Sequence, residues 1–421
     1  MKSCHLFSKH SLAALLATLL ALLASNGYAG ALYIYEVGSP AETAYAGAGL
    51  TARAQDAGTV FTNPAGMTRF NGNATLAAGG LLYLHAPFDT DSGNTISGTD
   101  GSTTEFFPYG SFSYIHSVSD QLKLGVSVQN YFGLGLDWGT NWVGRYTSTS
   151  ADILAPQVQP TVAYKVNDWL SVGAGAGLTL GFLDAKLRVN NKLDPGFGDG
   201  KMEYKDTDFA VQGNFGIMLN PNERTRIGLR YLTETELDFE DDPHFSRIGP
   251  TLVPITNLIE ELDLRMKMPQ SVMLGVFHDL NDKWAILGSV GWDEWSRFGA
   301  IEVSVDDTPE VTTDLKFDNT YHVGIGAQYQ HNSKWLYSAG YSYDSALSNG
   351  ANRSLAIPMG EMSRLGGGVE YRKRDDLTVG AAMDILWEGD LSLNAASDGG
   401  TVSGEYENVF IAFFTAYAKW Q

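Results

Sequence analysis

The chain has 421 residues, 44% apolar and 18% charged, where an ordinary soluble domain carries roughly 25% charged residues. That apolar content excludes intrinsic disorder, and 28 basic against 48 acidic residues, net −20, is the wrong sign for a nucleic-acid partner. The single cysteine, Cys4, excludes a disulfide framework and a Cys-based metal site.

In chain order, Lys2 and Lys9 precede the uncharged, Leu/Ala-rich run Leu12–Ala24, and Tyr28-Ala29 follows after Gly27. This is the layout of a signal peptide over residues 1–29, cut ahead of Gly30. Cys4 lies before the apolar run, which excludes the acylated cysteine of a lipoprotein. No later stretch reaches the ~18 apolar residues of a membrane helix. An exported chain of this kind is either a secreted β protein or a membrane barrel.

Residues 30–71 show no clean alternation, yet Tyr33, Tyr35, Leu50, Phe61, Met67 and Phe70 need burial. They are expected to form a plug. From residue 72 to 421 the polarity alternates with period two, as in Leu122–Gln129, Tyr321–Gln330 and Leu377–Trp387. Short turns are expected near Ser119-Asp120, Asn167-Asp168, Asn220–Glu223, Asn281-Asp282, His331–Ser333 and Lys373–Asp375. Longer Gly/Asp-rich loops fall between them, at Pro87–Glu105, Trp138–Ser150, Asn190–Lys201, Phe239–Asp263, Asp306–Asp314, Ser345–Gly360 and Asn394–Gly404. Six turns and seven loops require fourteen strands. Trp169, Trp284, Trp335, Tyr337 and Tyr371 near strand ends suit an interfacial girdle. The expectation is an all-β fold, a 14-stranded antiparallel transmembrane β-barrel with an N-terminal plug, in the outer membrane of a Gram-negative bacterium.

Several short motifs carry a resemblance. Ala44–Gly49, Asp56–Met67 with Asn63-Pro64-Ala65, Trp142-Val143-Gly144-Arg145-Tyr146, Pro269–Val272, Trp292–Ser296 and Gly404-Glu405-Tyr406 occur in order along the chain. Together they resemble the FadL/TodX type of outer-membrane transporters for long-chain fatty acids and other hydrophobic compounds. Two departures stand out: the chain ends Trp420-Gln421 rather than on an aromatic, and Asn130–Leu134 matches the family's gated third strand imperfectly. The resemblance implies passive uptake, without cofactor, of a fatty acid or a hydrocarbon by a hatch-plugged barrel. It also implies a hatch motif lying against a kinked third strand.

The residues assign candidates to that path. On the third strand alternation stops at Asn130, and Gly133 and Gly135 mark a bulge; Asn63, Pro64 and Ala65 would cover it. Phe61 of the plug is a ligand-contact candidate. Leu252, Ile255, Leu258, Ile259 and Leu262 recur at helical spacing in a long outer loop and offer an apolar collecting face. On the last strand Ile411, Phe413 and Tyr417 point inward if Phe410, Phe414 and Trp420 face lipid. Lys186, Arg188, Arg265 and Lys316 are candidates to pair with a carboxylate.

The sequence has no G-x-S-x-G elbow and no H-E-x-x-H pair, so an enzyme is not expected. Asp89–Asn94 lacks the Gly and Glu spacing of a calcium loop, and no metal site is assigned. Glu240-Asp241-Asp242 could bridge cations in lipopolysaccharide, although solvation is the simpler account. The expected partners are a hydrophobic ligand, outer-membrane lipid and lipopolysaccharide, with the protein working as a monomer. A general porin is disfavoured by the plug and by an expected low lumen charge.

Overall fold

The computed structural model of the chain describes residues 33–298, 300–305, 311–348, 353–355 and 359–421. The signal segment and parts of the loops at Asp306–Asp314 and Ser345–Gly360 lie outside the described residues.

Fourteen antiparallel strands close on themselves. They are β1 (Ala74–Thr90), β2 (Gly101–Ser117), β3 (Leu122–Gln129, then Gly133–Asp137), β4 (Ser150–Leu154, then Gln157–Lys165) and β5 (Leu170–Val189). Next come β6 (Gly200–Asn222), β7 (Thr225–Leu232, then Thr235–Asp241), β8 (Leu262–Met268, then Ser271–Asp279) and β9 (Trp284–Asp293, then Ala300–Val305). β10 (Val311–Asp314, then Thr320–Gln330), β11 (Trp335–Asp344), β12 (Met362–Arg374), β13 (Leu377–Ser397) and β14 (Gly400–Trp420) complete the wall. At the seam β1 pairs with β14, Thr75 opposite Trp420 and Leu81 opposite Phe414. A closed ladder satisfies every paired backbone group without an edge, which is what a strand protein needs to cross hydrocarbon.

Period-two sequence produces an inverted partition. Leu124 and Val128 are exposed while Lys123, Ser127 and Gln129 between them are buried. Ile325 is 66% exposed and His322 on the opposite face is 1% exposed. Apolar outside and polar inside is the membrane-barrel pattern. Trp169, Trp284 and Trp335 project outward near the short turns, with Trp284 against Tyr329 and Trp335 against Tyr371, ring centroids 4.7 Å apart in both pairs.

The six turns occupy the expected places. Several loops are shorter than expected, because strand pairing continues past the membrane zone. β1 runs to Thr90 and β2 starts at Gly101, and β13 and β14 pair to Ser397 opposite Gly400 rather than separating at Asn394. The helix expected over residues 250–262 is also cut down. Only Val253–Thr256 is helical, Pro254 sits in its first turn, and Leu262 begins β8.

Residues 33–73 fill the lower lumen with short helical turns: Tyr35–Gly38, Pro40–Tyr45, Thr59–Thr62 and Pro64–Arg69. Their side chains are almost all buried. Because the wall closes through its own ladder, deleting residues 30–70 with the signal kept should still give an inserted barrel. The expected change is a steady ion conductance in planar bilayers where the intact protein scarcely conducts. Failure to insert, or an unchanged conductance, would contradict this arrangement.

Candidate transport path

The inner face has two levels. Towards the turns it is polar and grips the hatch. Gln159 donates to Val60 O at 2.8 Å, Asn214 to Phe61 O at 2.7 Å, Thr51 Oγ1 to Gly228 O at 2.8 Å, and Arg226 Nε to Ala52 O at 3.2 Å. On the far side Tyr45 accepts from Gln328 and Ser338, and Arg364 Nη1 holds Glu36 Oε1 at 2.9 Å. Within the hatch Arg53 bridges Glu42 and Asp56. Burial pushes the Glu42 carboxyl up to about 7. Burial also raises Asp56, but Arg53 more than offsets it and holds that carboxyl below its ordinary value.

Between these clasps the wall carries glycines abreast on neighbouring strands. Gly173 lies abreast of Gly216, Gly228 abreast of Gly275, and Gly340 between Gly326 and Gly366. A Cβ on Gly216 would collide with Asn63, on Gly228 with Thr51, on Gly340 with Tyr45 and on Gly366 with Thr43. These glycines let the hatch backbone lie directly on strand backbone.

Asn63 is one of the pieces seated there. Its Nδ2 donates to Thr51 O at 2.7 Å and to Ile217 O on β6 at 3.1 Å, and its Oδ1 accepts from Ala65 N at 3.1 Å. Pro64 and Ala65 lie on Gly173 and Gly216. The expectation that Asn63-Pro64-Ala65 covers the break in β3 is therefore corrected, because the glycine gap that admits this turn is on β5 and β6. Hatch residues Val60 and Met67 do reach β3, at Gly125, below the break.

The break itself lies where alternation stops. β3 pairs with β2 only from Phe112↔Val128 to Ser117↔Lys123, while β2 continues unbroken along β1 to Gly101. Above the break β3 follows β4 instead, Gly133 opposite Leu154 and Asp137 opposite Ser150. A window results, closed above by Asp137 N donating to Thr103 Oγ1 at 3.2 Å. Gly133 sits at φ +147°, and a Cβ there would strike Ile153 O; one on Gly135 would lie 2.8 Å from Phe107 Cε1 of β2. Along this stretch β2 carries Pro108, which brings no N–H to any ladder and belongs on an edge. The break is covered from inside by the start of the hatch. Tyr33 bridges Phe132, and Ile34 N donates to Tyr131 O at 2.9 Å.

Above the hatch the inner face turns apolar. Leu82, Leu84 and Phe88 of β1, Leu183 and Leu187 of β5, Leu237 and Phe239 of β7, and Ile411 and Phe413 of β14 join one buried cluster with Phe61 and Tyr131. Tyr417 lies lower, donating to Glu370 at 3.0 Å. Of the outer-loop candidates, Leu252, Ile255 and Ile259 pack on this cluster, whereas Leu258 is 56% exposed. Leu193 and Phe197 on the β5–β6 loop are exposed too. A recess of about 590 Å³ lies there, lined by Thr140, Asn141, Arg188, Phe197, Asp199 and Arg247. Arg145 of the Trp142–Tyr146 motif pins that region, its Nε 2.6 Å from Asp199 Oδ2.

The four cations chosen from sequence are not at the hatch. Lys186 pairs with Asp184, Arg265 with Asp238 and Asp263, Arg188 lines the outer recess, and Lys316 precedes β10's second segment. Among the described residues the buried lysines and arginines are Arg53, Lys123, Arg145, Arg226, Arg230, Arg364 and Lys419. The expected low lumen charge is thus corrected, since the lower lumen is charged and its charges largely secure the plug. Strand parity would have found two of these residues. Arg226, Gly228 and Arg230 share one face of β7 opposite the exposed Leu229 and Tyr231. Sequence reasoning also missed that Ser289, His322 and Asp344 form a chain, Oγ to Nε2 3.0 Å and Nδ1 to Oδ1 2.9 Å. Ala48 of the hatch and Gly324 close over Ser289, and Asp344 also faces Arg364 at 3.5 Å. The triad-like chain lies among the groups that hold the hatch.

Such a barrel, with a lower lumen stoppered by its own N-terminal segment and an apolar chamber above, defines a plugged outer-membrane transport protein. Residues 20–418 match the family described as "Outer membrane protein transport protein (OMPP1/FadL/TodX)", and the chain belongs to that family. It is 29% identical over 409 residues to "Outer membrane protein P1" of Haemophilus influenzae, covering 87% of each chain. It is 24% identical over 408 residues to an Escherichia coli "Long-chain fatty acid transport protein", covering 89% of this chain and 90% of the relative. In fold it resembles a Pseudomonas aeruginosa FadL homologue, at TM-score 0.82, 19% identity and 90% and 97% coverage. The P. putida toluene transporter TodX is similar at TM-score 0.66, 17% identity and 89% and 98% coverage.

The seating of the hatch can be tested at one glycine. A methyl at Gly340 meets Tyr45 backbone, which cannot swing aside, and such overpacking costs about 1–3 kcal/mol. Gly340→Ala should give frequent conducting openings in single-channel records. Gly367→Ala on β12, where the nearest atom is 3.9 Å from the new carbon, should record as wild type.

Proposed function

We propose that the protein is a passive transporter of hydrophobic compounds, long-chain fatty acids above all, which takes cargo from the outer loops and releases it sideways into the bilayer. The observation that carries this reading is the end of β2–β3 pairing beyond Phe112↔Val128, beside the buried apolar cluster above the plug. Burial of alkyl groups is worth about 0.8 kcal/mol per CH₂, so a sixteen-carbon chain favours hydrocarbon over water by roughly 12 kcal/mol. The straight route ends at the turns in a polar recess of about 240 Å³ lined by Gln55, Gln328, Lys334, Glu370, Arg372 and Lys419. That is poor company for an alkyl tail.

In this reading Leu258, Leu193 and Phe197 collect cargo, Ile411, Phe413 and Phe61 conduct it, and Gly133 and Gly135 leave room for upper β3 to lie against Ile153 and Phe107 while its ladder to β2 stays broken. Unpaired backbone in hydrocarbon costs several kcal/mol per group, so the window needs the inner cover that Tyr33 and Ile34 supply. Transport needs no cofactor and no enzymatic step, and one closed barrel suffices as the working unit. Aromatic or aliphatic hydrocarbons are the alternative cargo, since the same chamber and window would pass them.

The test is Gly133→Val with Gly135→Val. Uptake of labelled oleate by intact cells should collapse at normal surface expression, because the β-branched side chains displace β3 against Ile153 and Phe107. Wild-type uptake at normal expression would reject sideways release in favour of passage through the plug.

A further inference from the structure

Arg230 stands apart from the other buried charges. It projects inward from β7, between Gly216 of β6 and Met273 of β8, and its side chain is fully enclosed at 0% exposure. The other two fully buried arginines hold carboxylates: Arg53 on Glu42 at 2.7 Å and Arg364 on Glu36 at 2.9 Å. Among the described residues Nε, Nη1 and Nη2 of Arg230 find no hydrogen-bond partner.

Instead, Arg230 meets rings. Its Cζ lies 5.3 Å from the Phe61 ring centroid and 5.7 Å from that of Tyr35, whose hydroxyl is also without a partner. Cation–π contact offsets only part of the cost of taking a guanidinium out of water. Asp293, on the inner face of β9, acts on it through space, and among the described residues no hydrogen bond joins the two. The pair therefore balances charge without using the arginine's donors. A guanidinium presents five N–H groups in a planar fork, and the ligand that satisfies such a fork is a carboxylate or a phosphate.

The position suits the head of an amphiphile. Phe61 lies tilted against Tyr131, ring centroids 4.7 Å apart, and Tyr131 stacks on Tyr33 at 5.7 Å, so Arg230 adjoins the aromatic cluster behind the β3 break. Leu232 one step along β7 belongs to the apolar chamber. An alkyl tail can lie in that chamber while its carboxylate reaches the guanidinium and the Tyr35 hydroxyl.

We propose that Arg230, with Tyr35, is an anion-binding site at the floor of the chamber that selects ligands carrying a carboxylate over neutral chains of the same length. The proposal rests on the transport reading above and specifies its cargo. It is tested by equilibrium binding of labelled oleate and oleyl alcohol to the full mature protein in nonionic detergent. Wild type should prefer oleate at least about tenfold, the scale of one charge-assisted bidentate contact. Arg230→Met should bring the ratio close to one by weakening oleate alone, and Arg230→Lys should keep part of it. Equal binding of both ligands by wild type, or an undiminished ratio in Arg230→Met, overturns the site and leaves the transport reading intact. A wild-type protein that binds neither ligand removes both.

Discussion

Everything in this molecule depends on backbone lying against backbone at the wall of the lumen. A fourteen-strand barrel encloses more space than its own inward side chains can fill, and the chain fills it with its first described residues. Short helical turns pack poorly as amphipathic units, so the hatch cannot rely on an apolar face. It is held by amides, hydroxyls and buried ion pairs, and by strips of glycine that bring its carbonyls within van der Waals range of the strands. Part of the chain's glycine, 47 of 421 residues, thereby acquires a location.

The same division governs the chamber above. Where the hatch ends, inward positions change from polar to apolar along single strands, from Ser171 and Thr179 to Leu183 and Leu187 on β5 and from Lys419 and Thr415 to Phe413 and Ile411 on β14. A single strand thus serves three surroundings: lipid on one face, plug and cargo on the other. Polar groups at plug level satisfy one another and the hatch, and a polar lining higher up would have asked a hydrophobic molecule to desolvate it. The β3 break sits at the boundary between the two levels, beside Phe61, Tyr131 and the hatch's first residues.

Much of this was legible in the sequence because it is local. Period-two alternation set each strand's faces, and Asn, Asp and Ser pairs set the turns. The irregularity at Asn130 showed as a lapse in alternation. Long-range placement was not legible. Nothing in Asn63-Pro64 reveals that its partner is Ile217 O, 154 residues away, and the borrowed expectation of a contact with β3 failed on that point. The helical spacing at residues 250–262 misled because spacing does not count backbone donors: Pro254 allows a helix to start, but it stops at Thr256, and from Leu262 strand pairing with Thr235–Asp241 claims the chain. The carboxylate partners were sought at Lys186, Arg188, Arg265 and Lys316, whereas the inward parity of Arg226 and Arg230 on β7 marks cations buried beside the hatch.

The glycine strips also decide how the protein can fail. Elsewhere in a barrel a substitution adds or removes a contact and is absorbed by a few tenths of an ångström. At Gly228, Gly340 or Gly366 the smallest possible side chain occupies space already held by a carbonyl. One nucleotide change there converts a sealed conduit into a leak without touching the ladder that makes the barrel stable. The permeability barrier is thus kept by atoms that are not there.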